Sequence, residues 1–232
     1  MADQDLTSFF DNAEEQRAYE EFCATQERGL APFNLDAPAL VCRWRMHAKR
    51  VPLLNRHIRA LSQRLVQGEP LTHNMLSWAK QHVEWSLTEG AYAQRDGVLM
   101  LVIDVNGNAA MSVGDYEPLA DASPAALVER AREAAREESE TRVAPESLCA
   151  VDGDELLVAA GEFACGAVTL VEQLAEARGL APRRIPLAEL LAAGASSRAF
   201  LVSDEHGVVL AEGAAPDEMA EFLRAGVAKL FS

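Results

Sequence analysis

Basic side chains are concentrated in one short stretch of the sequence, RWRMHAKR at residues 43–50. Arg43, Arg45 and His47 alternate there, and alternation places side chains on one face of a β-strand. Arginines that converge on one point can hold a phosphate or a carboxylate through paired hydrogen bonds. The stretch therefore predicts a site for a small anion. The alternative is that these arginines pair with acidic residues elsewhere in the chain or face water.

A second feature with affinity for anions is the loop GEFACG at residues 161–166. The sequence predicts a strand before this loop and a helix after it. Backbone amides at the start of a helix attract negative charge, so Gly166 and its neighbours are candidate anion contacts. The alternative is a tight connection built from small residues.

Motifs for other chemistry are absent from the sequence. It has no GxSxG nucleophile turn, no GxxxxGK[ST] phosphate loop and no GxGxxG fingerprint, so the catalytic residues are unknown. His73 and His82 lie nine positions apart, whereas two ligands on one helix face lie four apart, so no metal site is predicted. Four cysteines without a CxxC pair are expected to be buried and reduced: Cys23, Cys42, Cys149 and Cys165.

Charge is distributed unevenly along the chain. The 36 acidic and 21 basic residues of the 232-residue sequence give a formal charge of −15. Residues 40–95, however, carry nine Lys or Arg side chains and three Glu, a local charge of +6. The overall sign argues against nucleic acid and anionic membranes as partners. The positive charge of the basic segment is nevertheless compatible with a small anionic molecule as ligand.

Two further patterns bear on the compartment. The first 25 residues contain no apolar core of a signal peptide. No stretch approaches the roughly 18 to 20 apolar residues that cross a bilayer. These patterns predict a cytoplasmic protein.

The first half of the chain is predicted to alternate between helices and strands. A helix from Asp11 to Gly29 precedes the strand ALVCRWRM. Apolar residues at helical spacing predict a second helix, which Gly68 and Pro70 end: Leu54, Ile58, Leu61 and Leu65. A third helix follows at residues 72–88. The turn Asn106-Gly107-Asn108 then joins two apolar runs into a hairpin.

The second half repeats this mixture. Ser123 caps a helix with Pro124 at its first position. Strands at SLCAV and ELLVAA, a helix from Ala167 to Arg178, the strand RRIPL and the helix AELLAA follow in order. A hairpin around SDEHG and a last helix, whose first residues include Pro216, complete the prediction.

These elements predict an α+β or mixed α/β fold in two lobes. The stretch EPLADASP has the composition of a linker. Residues 1–118 would form an N-terminal lobe that holds the basic segment. Residues 123–232 would form an acidic C-terminal lobe.

The order of these motifs resembles the class IV pyridoxal-phosphate aminotransferases, which include branched-chain and D-amino-acid aminotransferases and aminodeoxychorismate lyase. ALVCRWRMHAKRVPLLNRHIRALSQRL is similar to the strand, turn and helix that carry the family's HLxRL motif. Residues 151–213 are similar to its later order of turn, GxTR-led helix, glycine, L-x-E-L stretch and hairpin. The resemblance covers about half of the chain and implies a homodimer of this fold with pyridoxal phosphate as cofactor.

The departures from the family pattern lie at its functional residues. The family's arginine, which contacts the cofactor phosphate, corresponds to Ala60, and Arg59 stands one position early. Thr169 lies close to the position of the family's threonine. No lysine occurs between Lys80 and Lys229, where the family's Schiff-base lysine should stand. The resemblance therefore implies a protein without ordinary transaminase chemistry.

Three hypotheses follow from the sequence. The leading one is a class IV aminotransferase-like protein, non-catalytic or divergent, that binds a small anion without a cofactor. Its candidate contacts are Arg43, Arg45, Arg59, Gly166 and Thr169. The second is a protein–protein interaction or dimerisation module. The third is an active pyridoxal-phosphate enzyme with a relocated lysine, Lys49 or Lys80.

Overall fold

The computed structural model of the protein describes Arg17 and residues 38–89, 92–194, 198–213, 215 and 217–232. Apart from Arg17, the predicted helix from Asp11 to Gly29 lies outside these residues, as do Cys23 and Pro216. Within them the chain forms ten β-strands and six α-helices. The predicted mixture of helices and sheets is confirmed.

The first part of the chain is built on a three-stranded antiparallel sheet in the order β1-β4-β5. Its elements are β1 (Pro38–Met46), α1 (Leu54–Leu61), β2 (Leu65–Val66), β3 (Glu69–Pro70), α2 (His73–Thr88), β4 (Gly97–Asp104) and β5 (Ala109–Gly114). Trp44 and Met46 of β1 are buried against Leu99 of β4, with α1 and α2 covering them. This core holds β1, which carries Arg43 and Arg45, and α1, which carries Arg56 and Arg59.

The hairpin between β4 and β5 follows from its turn residues. The Asp104 carboxylate accepts hydrogen bonds from the backbone amides of Asn106 and Asn108. Gly107 adopts φ +79°, a left-handed conformation that glycine reaches without strain. The turn predicted from the sequence is therefore present.

The second helix is shorter in the structure than the sequence predicts. Helix α1 ends at Leu61, and residues from Leu65 onward form the short β2–β3 hairpin. Gln67 and Gly68 both have positive φ, which is the geometry of a two-residue hairpin turn. Leu65 matched the helical spacing only by coincidence, because the chain reverses direction at the next residues.

The second part of the chain is built on a five-stranded sheet in the order β10-β9-β6-β7-β8. Its elements are α3 (Pro124–Thr141), β6 (Glu146–Asp152), β7 (Glu155–Ala159), α4 (Gly166–Glu176), β8 (Ala181–Ile185), α5 (Leu187–Ala192), β9 (Phe200–Ser203), β10 (Gly207–Leu210) and α6 (Glu218–Ala228). The strands β7 and β8 are parallel, and the other paired strands of this sheet are antiparallel.

Alternate residues of these strands face two separate cores. Leu156 and Val158 of β7 pack with α4 and α6 on one face. Leu157 of β7 packs with α3 and α5 on the other face. Both faces of the sheet are covered, so these strands consist of nearly continuous apolar residues. Such apolar runs are the pattern from which the strands are predicted.

Side-chain caps fix where three helices begin. Ser123 accepts a hydrogen bond from the Ala126 amide at the start of α3. Thr72 caps α2 in the same way, and Asp217 accepts from two amides of α6. The cap predicted at Ser123 is confirmed.

The sheets of the two parts lie on opposite sides of the predicted linker in sequence. Residues 1–118 and 123–232 as separate domains stay a prediction. Among the residues that the structure describes, no helix has the length and apolar composition to span a bilayer.

Candidate functional site

A cavity of about 300 Å³ lies between α1 and the loop that leads into α4. We call it the arginine cavity. Its lining residues come from α1 and the turn after it, from the predicted anion loop, from α4 and from β8: Arg56, Arg59, Ala60, Gln63, Glu162, Phe163, Ala164, Thr169 and Arg184. The structure therefore brings together Arg59, Thr169 and part of the loop GEFACG, three features that the sequence singled out.

Arg56 lines this cavity but is not among the candidates that the sequence analysis singled out. Its guanidinium donates hydrogen bonds to Thr169 Oγ1 at 3.1 Å and to Gln173 Oε1 at 2.5 Å. Both acceptors are neutral, so the positive charge of Arg56 has no carboxylate partner among the described residues. The sequence does contain a pattern that indicates this grouping, because Arg56, Arg59 and Gln63 recur at the spacing of one helix face.

Arg59 is exposed to solvent at the rim of the arginine cavity. It forms no ion pair with any residue that the structure describes. Glu162 also lines this cavity, and the third arginine, Arg184, is paired with Glu172. The cavity thus presents two arginines without carboxylate partners and one glutamate, an excess of positive charge.

Arg184 lies at one end of the arginine cavity and is held rigidly. Its guanidinium donates to both carboxylate oxygens of Glu172, at 2.8 and 2.9 Å, and to the backbone oxygen of Glu162. The hydrogen bond to Glu172 raises the pKa of Arg184 further above its usual value. This fork-to-fork geometry fixes the end of β8 to α4 and to the loop before it.

The start of helix α4 is occupied by a carboxylate of the protein itself. The backbone amide of Ala167 donates to Asp204 Oδ1 at 2.7 Å. His57 Nδ1 lies 3.0 Å from the other carboxylate oxygen of Asp204, and both side chains are buried. Burial raises the pKa of Asp204, but His57 and the Ala167 amide outweigh that effect and hold the pKa below its usual range.

Gly166 makes this arrangement sterically feasible. A Cβ atom at Gly166 would lie 2.5 Å from His57 Nδ1 and 3.2 Å from the His57 backbone nitrogen. The ring of His57 also stacks on Trp44, with centroids 5.2 Å apart. The predicted role of Gly166 as an anion contact stays a prediction, and its observed contact is with His57.

Arg43 and Arg45 lie on β1 but have different partners. Arg43 donates to both carboxylate oxygens of Glu205, at 2.6 and 2.7 Å. Arg45 lies over the ring of Tyr116, 3.2 Å from its centroid. Both guanidiniums are thus engaged within the chain, and neither lines the arginine cavity. Their role as anion contacts stays a prediction.

The three lysines of the sequence are distributed over the first part of the chain and its end. Lys49 lies in the turn after β1, Lys80 in the middle of α2 and Lys229 directly after α6. None of them lines the arginine cavity or the cavity beside α3 that is described below. Across the described ranges, no group of three or more His, Cys, Asp or Glu residues could hold a metal ion.

No family model and no curated protein matches the sequence. Solved structures, however, share its fold. A hypothetical aminotransferase from Mycobacterium tuberculosis in PLP-bound form has a TM-score of 0.54, with 14% identity over 87% of this chain and 95% of that one.

Two other solved structures agree. A fold IV transaminase from Curtobacterium pusillum has a TM-score of 0.52 and 12% identity over 87% of this chain and 89% of that one. A proposed 4-amino-4-deoxychorismate lyase from Legionella pneumophila has a TM-score of 0.53 and 9% identity over 88% of this chain and 97% of that one. The chain therefore has the class IV aminotransferase fold, as the motif order predicted.

Proposed function

We propose that this class IV aminotransferase-like protein binds a small anion in the arginine cavity and does not catalyse transamination through a lysine aldimine. One observation carries the proposal: Arg56 and Arg59 flank a cavity of about 300 Å³ and have no carboxylate partner among the described residues. Guanidinium groups without carboxylate partners favour a bound carboxylate or phosphate.

Pyridoxal phosphate is the cofactor that the fold implies, and a solved structure of this fold contains it. The residues of this chain do not fit that cofactor. Its chemistry needs a lysine amine, and none of the three lysines lines either cavity. Asp204 also accepts the hydrogen bond of the Ala167 amide, and its negative charge would repel a phosphate at the start of α4.

Calorimetric titration with inorganic phosphate tests the binding proposal. We expect Arg56→Gln and Arg59→Gln each to weaken phosphate binding about tenfold or more, because each removes a charge-assisted hydrogen bond. Arg132→Gln is the matched control, since Arg132 is an exposed helical arginine on α3 that does not line the cavity. Absence of binding, or equal affinity in all variants, would overturn the proposal.

The relocated-lysine hypothesis is tested separately. Lys49→Ala and Lys80→Ala should leave the affinity for pyridoxal phosphate unchanged if no aldimine forms. A loss of affinity in one of these variants would instead identify a Schiff-base lysine.

One observation favours the second candidate function, association through α2. Ring contacts run from Trp78 through His82 to Trp85, whose side chain is 58% exposed. Exposed tryptophan is typical of protein interfaces. Light scattering during size-exclusion chromatography, at low and high salt, measures the oligomeric state. A dimer that Trp85→Ser converts to monomer would support this role, and a monomer in the unmodified chain would exclude it.

A further inference from the structure

The strands β7 and β8 are the parallel neighbours of the larger sheet, and their carboxyl ends lie side by side. Ala159 at the end of β7 is paired with Ile185 at the end of β8. From β7 the chain continues to α4, which packs on one face of the sheet, whereas from β8 it continues to α5 on the other face. In α/β sheets, ligands bind in the crevice where two such connections diverge.

A second cavity of about 300 Å³ lies at this crevice. We call it the strand-end cavity. Its lining residues lie at the ends of β7 and β8, directly after these strands, and on α3: Ala135, Glu138, Ala159, Ala160, Gly161, Arg184, Ile185, Pro186 and Leu187. Six of these nine carry apolar side chains other than glycine, so the cavity offers an apolar surface.

The strand-end cavity and the arginine cavity adjoin each other. Arg184 lines both of them. The loop after β7 is also continuous between them, since residues 159–161 line the first cavity and residues 162–164 line the second. Because Glu172 and the Glu162 backbone hold Arg184, the boundary between the two cavities is fixed.

The two cavities share Arg184 but differ in their other charged groups. The arginine cavity contains Arg56 and Arg59 without carboxylate partners. The strand-end cavity contains the carboxylate of Glu138, which accepts a hydrogen bond from the Gly161 amide at 2.7 Å. A second negative charge beside Glu138 would be repelled. A ligand that spans both cavities must therefore place its anionic group at the arginines and an uncharged part beside α3.

We propose that the ligand is a small amphipathic acid, with one carboxylate or phosphate monoester group in the arginine cavity and an apolar body in the strand-end cavity. This inference rests on the anion-binding function proposed above. A volume of about 300 Å³ accommodates roughly ten non-hydrogen atoms at about 30 Å³ each. The apolar body is thus a short chain or a single ring.

The test is a calorimetric series on the full chain with inorganic phosphate and with ethyl, butyl and hexyl phosphate. We expect the Kd to fall about fourfold per added methylene, the factor for burial of one methylene in an apolar site. The corresponding carboxylates acetate, butyrate and hexanoate decide between the two anionic groups. A Kd that does not change with chain length would overturn the inference.

A variant that fills the strand-end cavity separates the two proposals. Ala135→Phe should abolish the dependence on chain length and leave the affinity for inorganic phosphate within twofold. Ala125→Phe is the matched control, because Ala125 is an exposed residue of the same helix and does not line the cavity.

The outcomes are distinguishable. If inorganic phosphate binds through Arg56 and Arg59 but Ala135→Phe changes nothing, the ligand class is wrong and the anion site stands. If neither phosphate nor its esters bind the unmodified chain, the proposed function itself is wrong.

Discussion

At the N-terminus of helix α4, the carboxylate of Asp204 takes the place that a bound anion has at many helix N-termini. It accepts a hydrogen bond from the Ala167 amide and lies 3.0 Å from His57 Nδ1. The same contacts join the first part of the chain to the second, because His57 belongs to α1 and Asp204 to the turn after β9. A position that could have held an external phosphate thus contributes to the stability of the fold.

Asp204→Asn should lower the free energy of unfolding by about 2 kcal/mol, because it removes the buried carboxylate that accepts a charge-assisted hydrogen bond from the Ala167 amide. Urea unfolding at neutral pH measures this change. Asp152→Asn is the control, since the Asp152 side chain is 61% exposed and its ion pair with Arg198 is long, at 3.7 Å. We expect its effect to stay within about 0.5 kcal/mol. Equal stability of both variants would contradict the assigned role of Asp204.

The effect of Asp204 has a defined pH dependence. Its folded pKa lies below the ordinary value of 3.8, so its stabilising effect is complete above that pH. The effect is lost as the pH falls through the lower folded pKa. The difference between the unmodified chain and Asp204→Asn should therefore shrink as the pH falls below about 3. A difference that grows on acidification would have the wrong sign.

The buried cysteines give a prediction of their own. Burial raises the pKa of the Cys42 thiol to about 11, and it raises those of Cys149 and Cys165 as well. A thiol that stays protonated reacts slowly. A thiol-specific colorimetric reagent should therefore modify at most one of the four cysteines in the native protein, and all four in denaturant. Rapid native modification of two or more would contradict this burial.

The sequence revealed single residues of the site but not the partners they have. Arg59 and Thr169 were recognised from charge and motif position. Asp204 was not, since it lies 37 positions from Ala167 and still farther from His57, and no local pattern links them. A carboxylate in a hairpin turn is ordinary turn chemistry until the tertiary fold places it beside a helix.

At the scale of elements, α1 and the start of α4 position the site together. One face of α1 supplies Arg56 and Arg59 to the arginine cavity, and His57 on the neighbouring face contacts Gly166. The close approach of these two helices depends on the absence of a side chain at Gly166. The loop GEFACG therefore has a packing role in addition to its place at the cavity.

Gly166→Ala tests this packing. Its Cβ would lie 2.5 Å from His57 Nδ1, so α1 and α4 must separate, and we expect a loss of about 2 kcal/mol in stability. The control is Gly114→Ala, because no atom lies within 4 Å of the added Cβ there. Denaturant midpoints with unchanged m-values measure both. A neutral Gly166→Ala would show that the helices are not in close contact.

Most elements were predictable because their patterns are local. Caps, turn residues and apolar runs placed α2, α3 and the hairpin of β4 and β5 to within a few residues. The β2–β3 hairpin was missed, since a two-residue strand has no periodicity and Leu65 extended the helical spacing of α1. The topology depends on pairings between distant strands, and the motif order of a known family supplied it.

At the scale of the whole molecule, the uneven charge of the sequence becomes a set of contacts between its two parts. Arg43 pairs with Glu205, and the buried Arg64 pairs with Glu137 of α3. Pairing with acidic residues, the alternative that the sequence left open for Arg43, is what the structure shows. Arg56 and Arg59 line a cavity and have no carboxylate partner among the described residues, which is the reason to propose an anion site in an acidic protein.

The central claim is that a class IV aminotransferase fold here binds an anion without aldimine chemistry. The most direct test is to incubate the full chain with pyridoxal phosphate, record its absorbance, reduce with borohydride and measure the intact mass. We predict no aldimine band and no stoichiometric pyridoxyl adduct, because no lysine lines either cavity. A visible aldimine band that borohydride abolishes, with one adduct on a single lysine, would contradict the claim.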